Sequence, residues 1–387
     1  MMIPLSVPNL NGREWILVKK CLDTNWVSSA GSFVREFEEA ICKYTKAKHA
    51  IACVNGTSGL FLSLKLAGVK AGDEVIVPTL TFIAPVNVVK YLMAEPVFMD
   101  CDGYLNLDVN KLDEFFRKEC RTTKDGLRNK RSGRIIRAII PVHIFGNPCD
   151  MEQIMRIARR YGLKVVEDAT ESLGSYYTKG VYKNRFTGTI GDFGVYSFNG
   201  NKIITTGGGG MIVTNNKAIA EKANYLVNQA KDDAVRSLHH EVGYNLRLTN
   251  IQAALGLAQL EKIEEFIAIK KKNYELYKNG LRDVGGVEIL SVPENTRPNH
   301  WFYPMLVDEN KYGMNKDMLM KKLAKMDIET RPVWHLSHLQ KPYIRNQAYK
   351  IKKALSFCRT ILNLPCSTDL KKGEIYKVIF AIRRLKR

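Results

Sequence analysis

A single lysine lies in a glycine-rich stretch whose composition suits covalent carbonyl chemistry. Residues 197–215 read S-F-N-G-N-K-I-I-T-T-G-G-G-G-M-I-V-T-N, which places Lys202 between two apolar runs. Partial desolvation favours the neutral amine of a lysine, and a neutral amine can form a Schiff base with a carbonyl compound. The glycines at 207–210 permit a tight turn beside it. The same letters also describe an ordinary hairpin, so this stretch alone leaves both interpretations open.

A carboxylate follows another apolar run upstream of the lysine. Residues 163–168 read L-K-V-V-E-D and predict a strand that ends at Asp168. Because parallel strands present their carboxyl ends to one crevice, Asp168 and Lys202 can meet there. An aspartate at a strand end could instead cap a following helix. The presence of Lys202 downstream favours a shared site.

A candidate phosphate-binding segment comes directly after the first predicted strand. Residues 55–58 read N-G-T-S, and backbone N–H groups and hydroxyls at a helix N-terminus are suited to bind phosphate. The same letters match a glycosylation sequon. The first residues, M-M-I-P, have neither the basic nor the apolar segment of a signal peptide, so we expect a cytoplasmic protein and set the sequon aside.

Composition indicates a soluble globular protein. The chain has 387 residues, of which 45% are hydrophobic and 25% charged, and no apolar run approaches the roughly 18 residues of a membrane span. A formal net charge of +20 raises the question of a nucleic-acid partner. The densest basic cluster, residues 117–137, contains no aromatic residue and is predicted to be a solvated loop. We therefore expect no nucleic acid and no membrane as partners, and a charge that attracts an anionic substrate. The eight cysteines form no C-x-x-C pair, so no metal site is predicted.

Strands and helices alternate through the first two thirds of the chain, which predicts a mainly parallel sheet covered on both faces. The predicted strands are 50–54, 74–77, 96–99, 135–142, 164–167, 193–198 and one that begins at 211. The predicted helices between and after them are 34–44, 58–67, 84–93, 110–119, 151–161 and 217–228. A long helix is predicted after Thr249, with a hinge near residue 250. This divides the chain into a large α/β domain, 1–250, and a small α+β domain, 251–387.

Taken in order, these motifs resemble the DegT/DnrJ/EryC1/StrS family of nucleotide-sugar aminotransferases. The resemblance rests on V-E-D-A-T-E-S-L-G at 166–174, G-D at 191–192, S-F at 197–198 and the lysine and glycines of 202–210, and it extends over nearly the whole chain. Members of this family are fold-type-I enzymes that depend on pyridoxal 5'-phosphate (PLP). The resemblance thus implies a seven-stranded sheet with one antiparallel strand and a homodimer with shared active sites.

The resemblance also implies roles for individual residues. Lys202 would form the Schiff base with PLP and then move a proton, and Asp168 would pair with the ring nitrogen. Glu171 would lie near the ring hydroxyl, and Phe82 would stack on the ring, although core packing is an alternative for Phe82. The residues implied at the phosphate are Gly56, Thr57, Ser58, Ser197 and, from the neighbouring subunit, Asn245. Candidates for substrate binding, each of which could instead lie at an interface or on the surface, are Trp26, Ser28, His300, Trp301 and Arg331.

The implied reaction is amino transfer from L-glutamate to a nucleotide-linked 4-keto-6-deoxy sugar, for surface glycan synthesis. Glu171 and the sequence S-F-N-G-N-K resemble the legionaminic acid branch of the family. That branch acts on a 2-acetamido-2,6-dideoxy-hexos-4-ulose, here expected on UDP or GDP, with dTDP left open. The alternatives are a GDP-perosamine type of enzyme, whose sugar has a C2 hydroxyl, and a PLP-binding regulator without turnover. A dehydratase relative would carry histidine in place of Lys202.

Overall fold

The computed structural model describes residues 2–233 and 235–386. The strands in chain order are β1 His49–Cys53, β2 Glu74–Pro78, β3 Glu95–Met99, β4 Cys120–Thr123, β5 Gly126–Asn129, β6 Ile135–Ile139, β7 Lys164–Asp168, β8 Tyr176–Tyr177, β9 Phe193–Ser197, β10 Gly210–Thr214, β11 Val287–Ile289, β12 Thr296–Arg297, β13 Tyr303–Val307, β14 Arg331–Pro332, β15 Ala348–Tyr349 and β16 Ile361–Leu364. The α-helices are α1 Glu14–Asp23, α2 Ser32–Thr45, α3 Gly56–Leu66, α4 Ala84–Tyr91, α5 Val109–Glu119, α6 Met151–Tyr161, α7 Lys217–Val227, α8 Asn250–Glu261, α9 Ile263–Leu281, α10 Glu309–Tyr312, α11 Lys316–Ala324, α12 Lys353–Thr360 and α13 Lys372–Leu385. Within these residues, none of the helices is both long and apolar enough to cross a membrane.

The large sheet contains the seven predicted strands in the order β3-β2-β6-β7-β9-β10-β1. All of them run parallel except β10, which is antiparallel to both of its neighbours. The predicted fold-type-I sheet with one antiparallel strand is therefore confirmed. The short strand β15 extends it by pairing in parallel with β3. The carboxyl ends of the parallel strands meet at one edge, where the candidate site lies.

The basic segment between α5 and β6 is a hairpin, so its prediction as a solvated loop was wrong. Strands β4 and β5 pair with each other, and β5 also pairs with β6. Leu127 and Asn129 are buried and alternate with the partly exposed Arg128, which is the two-residue period of a strand. The many lysines and arginines of this segment hid that period in the sequence.

Both faces of the large sheet are buried, as the alternating pattern predicts. Along β10, Ile212 packs into a cluster with side chains of α3 and α7, whereas Met211 and Val213 pack on the other face with α2 and α8. Such burial on both faces explains why these strands read as nearly uninterrupted apolar runs. The result is a rigid sheet that fixes the positions of the loops at its edge.

A second, antiparallel sheet of order β11-β13-β16-β14 forms the centre of the small domain. Its core includes Tyr277 of α9 and Val378 of α13, and Ile3 from the start of the chain packs there as well. The long helix predicted after Thr249 is two helices, α8 and α9, separated at Lys262. Two glutamates in the first turn of α9 suit a new helix N-terminus. The division near residue 250 stays a prediction, since α8 still packs against α1 and α2 of the large domain.

Candidate active site

A cleft of about 670 Å³ lies between the large sheet and the small domain. The large domain contributes the ends of β7 and β9, the start of α3 and the turn that carries Lys202. The small domain contributes Trp301, Arg331 and Asn363. The cleft thus brings together residues that are widely separated along the chain.

Lys202 lies at the bottom of this cleft with a side chain that is 13% exposed. Its backbone N–H donates to the carbonyl of Asn199, which closes the turn after β9. The Nζ atom lies 3.9 Å from Glu171 Oε1 and 3.9 Å from the centroid of the Trp301 ring. Burial lowers the pKa of Lys202, and the charges of Glu171 and Asp168 oppose that shift. A neutral amine, which nucleophilic attack on a carbonyl requires, is therefore more accessible here than on the surface.

Asp168 ends β7 and is 2% exposed. Burial raises its pKa, while hydrogen bonding to Thr170 and the charge of Lys202 oppose this. Its Oδ1 accepts a hydrogen bond of 3.1 Å from the Thr170 backbone N–H. Residues 169–175, all of them described, contain no helix, so the alternative of a helix cap was wrong. A buried carboxylate that faces a ligand cavity is suited to pair with a protonated ring nitrogen.

Behind Asp168, a buried hydrogen-bond network fixes the end of β7. The Cys149 backbone N–H donates to His143 Nδ1 at 3.0 Å, so the proton of a neutral imidazole is on Nε2, which donates to Glu167 Oε2 at 3.0 Å. The Glu167 carboxylate also accepts from the backbone N–H groups of Gly188, Ile190 and Gly191. These contacts hold the strand end rigidly. The sequence analysis did not find His143, because its role depends on segments far apart in the chain.

Glu171 is the second carboxylate of the cleft and is 4% exposed. Its Oε2 accepts a hydrogen bond of 2.8 Å from the Phe145 backbone N–H, which leaves Oε1 on the side of Lys202. Phe145 has φ of 55°, in the left-handed region that is unusual for a phenylalanine. Burial raises the pKa of Glu171 to about 7, with Lys202 and the Phe145 N–H acting in the opposite direction. Glu171 can therefore hold or release a proton near neutral pH.

The start of α3 forms a concave, donor-rich surface beside Lys202. Asn55 caps the helix by accepting a hydrogen bond of 2.8 Å from the Ser58 N–H, and the other first-turn N–H groups have no acceptor within the helix. A Cβ atom at Gly56 would lie 3.0 Å from Ser197 Cβ and 3.1 Å from Thr170 Cγ2. Gly56, Thr57 and Ser197 line the cleft, whereas Ser58 does not. This surface fits a phosphate group.

Aromatic side chains surround the cleft on the side facing the small domain. Phe82 is 54% exposed and does not pack in the core, so that alternative was wrong; its ring meets Trp334 edge to face at 6.4 Å. Trp301 stacks on Phe302 at a centroid distance of 4.1 Å and donates from Nε1 to the Asn201 carbonyl. These rings leave room for a planar ligand above Lys202.

Besides Ser58, four further predicted site residues lie outside the cleft of their own chain. Trp26 and Ser28 lie in the turn after α1, where their carbonyl groups accept hydrogen bonds from Asn250. Asn245 is exposed, so its proposed contact with the phosphate of another subunit stays a prediction. His300 is 6% exposed and packs on the Tyr274 ring at 4.6 Å, outside the cleft. It has a φ of 53°, in the left-handed region, and the next residue, Trp301, is the one that lines the cleft.

Three cleft residues that the sequence analysis missed carry buried oxygen atoms without a hydrogen-bond partner in the described chain. These atoms are Thr81 Oγ1, Asn201 Oδ1 and Asn363 Oδ1. Buried polar atoms are normally hydrogen-bonded, so unpaired ones in a cavity indicate ligand contacts. For Asn363 a signal was present in the sequence, because it interrupts the apolar run I-L-N-L-P. Among residues 2–233 and 235–386, no group of three or more His, Cys, Asp and Glu side chains could hold a metal ion.

The fold and the site define a PLP-dependent aminotransferase of fold type I. The lysine of lowered pKa, the buried aspartate and the cradle at Gly56 are the groups that PLP requires for its aldehyde, ring nitrogen and phosphate. Comparison with known proteins makes the assignment more specific. The sequence pattern of the DegT/DnrJ/EryC1/StrS aminotransferase family matches residues 9–383, and the chain belongs to this family.

Individual relatives match over nearly their whole length. The chain is 40% identical over 382 residues to a GDP-perosamine synthase of Caulobacter vibrioides, covering 98% of this chain and 97% of that protein. It is 35% identical over 381 residues to a GDP-perosamine synthase of Escherichia coli O157:H7, covering 98% and 97%. A crystal structure of a DegT DnrJ EryC1 StrS aminotransferase from Brucella abortus superposes with a TM-score of 0.86 at 29% identity, covering 97% of this chain and 95% of that one. The protein is thus a PLP-dependent sugar aminotransferase of nucleotide-sugar biosynthesis, rather than a regulator without turnover.

Proposed function

We propose that this protein transfers the amino group of L-glutamate to C4 of GDP-linked 2-acetamido-2,6-dideoxy-hexos-4-ulose, as a step toward a surface glycan. The observation that carries the proposal is the placement of Lys202 beside Glu171, with Asp168 in the same cleft. GDP is supported by the names of two relatives, both GDP-perosamine synthases, and is preferred over UDP for that reason. The acetamido group is supported by Glu171 and the S-F-N-G-N-K sequence, which resemble the legionaminic acid branch.

Bound PLP supplies a carbonyl carbon that accepts the amino group and a ring that withdraws electrons from the carbon being deprotonated. Asp168 would pair with the ring nitrogen and keep it protonated through a charge-assisted hydrogen bond. Lys202 Nζ would accept and return the proton that is moved, a task that needs a neutral amine. The surface formed by Gly56, Thr57 and Ser197 would hold the phosphate.

The proposed role of Glu171 is to influence the protonation of Lys202. Its Oε2 accepts from the Phe145 N–H, so Oε1 is the carboxylate atom closer to Lys202 Nζ, 3.9 Å away, where its charge acts on the amine. A carboxyl group with a pKa raised to about 7 can be either donor or acceptor at neutral pH. Glu171 thus adjusts how much of Lys202 is neutral.

The proposed active unit is a homodimer with shared sites. Asn245 is exposed and lies outside the cleft of its own chain, which leaves its side chain accessible to a second protomer. In the proposed dimer it donates to the cofactor phosphate across the interface. L-Glutamate and the keto sugar react in turn at the same cofactor.

A second candidate is a sugar with a C2 hydroxyl group in place of the acetamide. The names of the two GDP-perosamine synthase relatives favour it. The test is to measure kcat/KM for the GDP-linked C2-acetamido and C2-hydroxyl 4-keto sugars under the same conditions. An unpaired buried polar group costs about 1 to 3 kcal/mol, so we expect a preference for the acetamido sugar on the order of tenfold. Equal rates, or a preference for the hydroxyl sugar, would favour the perosamine type of enzyme.

A further inference from the structure

One buried polar side chain of the cleft has no role in the chemistry described above. Asn363 is 3% exposed, and its Oδ1 atom has no hydrogen-bond partner in the described chain. An amide oxygen left unpaired in the interior is costly, and native proteins usually satisfy such an atom. Because Asn363 lines the cleft, a bound molecule can supply the missing donor.

The geometry of β16 directs this side chain into the cleft. Leu362 and Leu364, on either side of Asn363, pack into the core of the small domain. Successive side chains of a strand point to opposite faces, so Asn363 faces the large domain. It also pairs in register with Arg331 of β14, and directly opposed residues share one face of a sheet. Asn363 and Arg331 thus lie on one face of the small sheet, and both line the cleft that contains Lys202, while the Arg331 guanidinium donates to Glu329 Oε1 at 2.9 Å.

The chemistry of the two substrates decides which of them Asn363 contacts. An unpaired Oδ1 needs an N–H or O–H donor. The donor of glutamate is its amino group, which has to reach the reaction centre at Lys202, and ionised carboxylates only accept hydrogen bonds. A hexos-4-ulose carries a hydroxyl donor at C3, next to its keto carbon, and a hydroxyl or acetamido donor at C2. The sugar is thus the substrate whose chemistry matches the unpaired oxygen.

We propose that Asn363 is a specificity-determining residue whose Oδ1 accepts a hydrogen bond from an N–H or O–H donor on the hexose ring of the nucleotide sugar. This inference rests on the proposed function. It adds a residue of the small domain that distinguishes sugars by the hydrogen-bond donors at C2 and C3. The donor is either the acetamide N–H at C2 or the hydroxyl at C3, and the experiment below separates the two.

The test compares Asn363→Leu with the wild-type holoenzyme in single-turnover measurements of each half-reaction. Leucine has a similar size but no acceptor, and the surface variant Asn310→Leu on α10 is the matched control. We expect the rate of the keto-sugar half-reaction, divided by that of the glutamate half-reaction, to fall about tenfold or more in Asn363→Leu. The ratio should stay within twofold of wild type in the control. Circular dichroism checks the fold, and Asn363→Ala replaces the leucine variant if that variant does not fold.

Substrate analogues then identify the contact. If the wild type discriminates against the 3-deoxy sugar and the Asn363 variant does not, the donor is the C3 hydroxyl. If the wild type discriminates against the C2-hydroxyl sugar relative to the C2-acetamido sugar and the Asn363 variant does not, the donor is the acetamide N–H. If the wild type aminates the sugar and a folded Asn363 variant has the same ratio of half-reaction rates, the inference about Asn363 is overturned and the proposed function is not. A wild-type enzyme that aminates none of the keto sugars would refute the proposed function and this inference together.

Discussion

Replacing Glu171 by glutamine should change the pH dependence of the reaction by acting on Lys202. Glutamine can keep the hydrogen bond from the Phe145 N–H but removes the negative charge 3.9 Å from Lys202 Nζ. At that distance and an effective dielectric constant of about 20, two unit charges interact by about 4 kcal/mol. Near neutral pH only part of the Glu171 population is ionised, since its pKa is about 7, so only part of this interaction energy acts on Lys202. Above pH 7 the charge should still contribute at least about 1.4 kcal/mol, which is about one unit in the pKa of Lys202.

The direction in which the pH–rate profile moves follows from how Glu171 affects the pKa of Lys202. The ionised Glu171 favours the ammonium form of Lys202, so it raises the pKa that burial lowers. Without this charge, the neutral amine forms at lower pH. We expect the acidic limb of the pH–rate profile to move to lower pH in Glu171→Gln. The rate at pH 8, where Glu171 is ionised in the wild type, should rise about tenfold relative to the plateau.

The assay uses the pyridoxamine form of the enzyme, in which Lys202 is a free amine. Single-turnover rates with the keto sugar are recorded by absorbance at several pH values for the wild type, Glu171→Gln and a control. Glu39→Gln is a suitable control, because Glu39 is 70% exposed and its ion-pair partner is Arg35 of the same helix. If the profiles of wild type and Glu171→Gln coincide, Glu171 does not control the protonation of Lys202 and this reasoning is refuted.

Three further predictions concern the cofactor and the dimer. Lys202→Ala should bind PLP without the absorbance of the Schiff base and lose transamination; full turnover in this variant would contradict the assignment. Gly56→Ala should weaken PLP binding by about tenfold or more, because the added Cβ would lie 3.0 Å from Ser197 Cβ. The control Gly373→Ala should bind PLP normally in the same titration, because a Cβ there would have no neighbouring atom within 4 Å. Mixed dimers of inactive Lys202→Ala and Asn245→Ala chains should regain partial activity through the one site that has both intact residues; no recovery after proven subunit exchange would exclude shared sites.

The large sheet could be predicted from the sequence because burial on both faces leaves a direct signature in apolar runs. Its seven strands follow from such runs, whereas the antiparallel direction of one strand was implied by the family resemblance. The hairpin of β4 and β5 was missed because its outward-facing arginines and lysines masked a two-residue period. The break at Lys262 was missed because apolar positions keep their helical spacing through it.

The site was predictable where its residues lie at strand ends and not where long-range packing sets the direction of a side chain. Asp168 and Lys202 follow apolar runs, so their meeting in one cleft could be expected. His300 and Trp301 are adjacent in the sequence, and the backbone conformation, with a positive φ at His300, places only Trp301 of the two in the cleft. Asn363 interrupts an apolar run in the sequence, but its direction into the cleft depends on how β16 packs against the small-domain core.

Two neighbouring acids at the end of β7 have opposite surroundings. Glu167 turns into the interior, where backbone N–H groups and His143 surround it, while Asp168 turns toward the cleft. Exchanging the two residues would preserve the net charge and the apolar run before them. It would nevertheless place a longer carboxylate in the space for the cofactor and a shorter one among four donors that it cannot reach together. The function of this dipeptide therefore depends on which face of the strand carries the longer side chain and which carries the shorter one. Its total charge does not determine that arrangement.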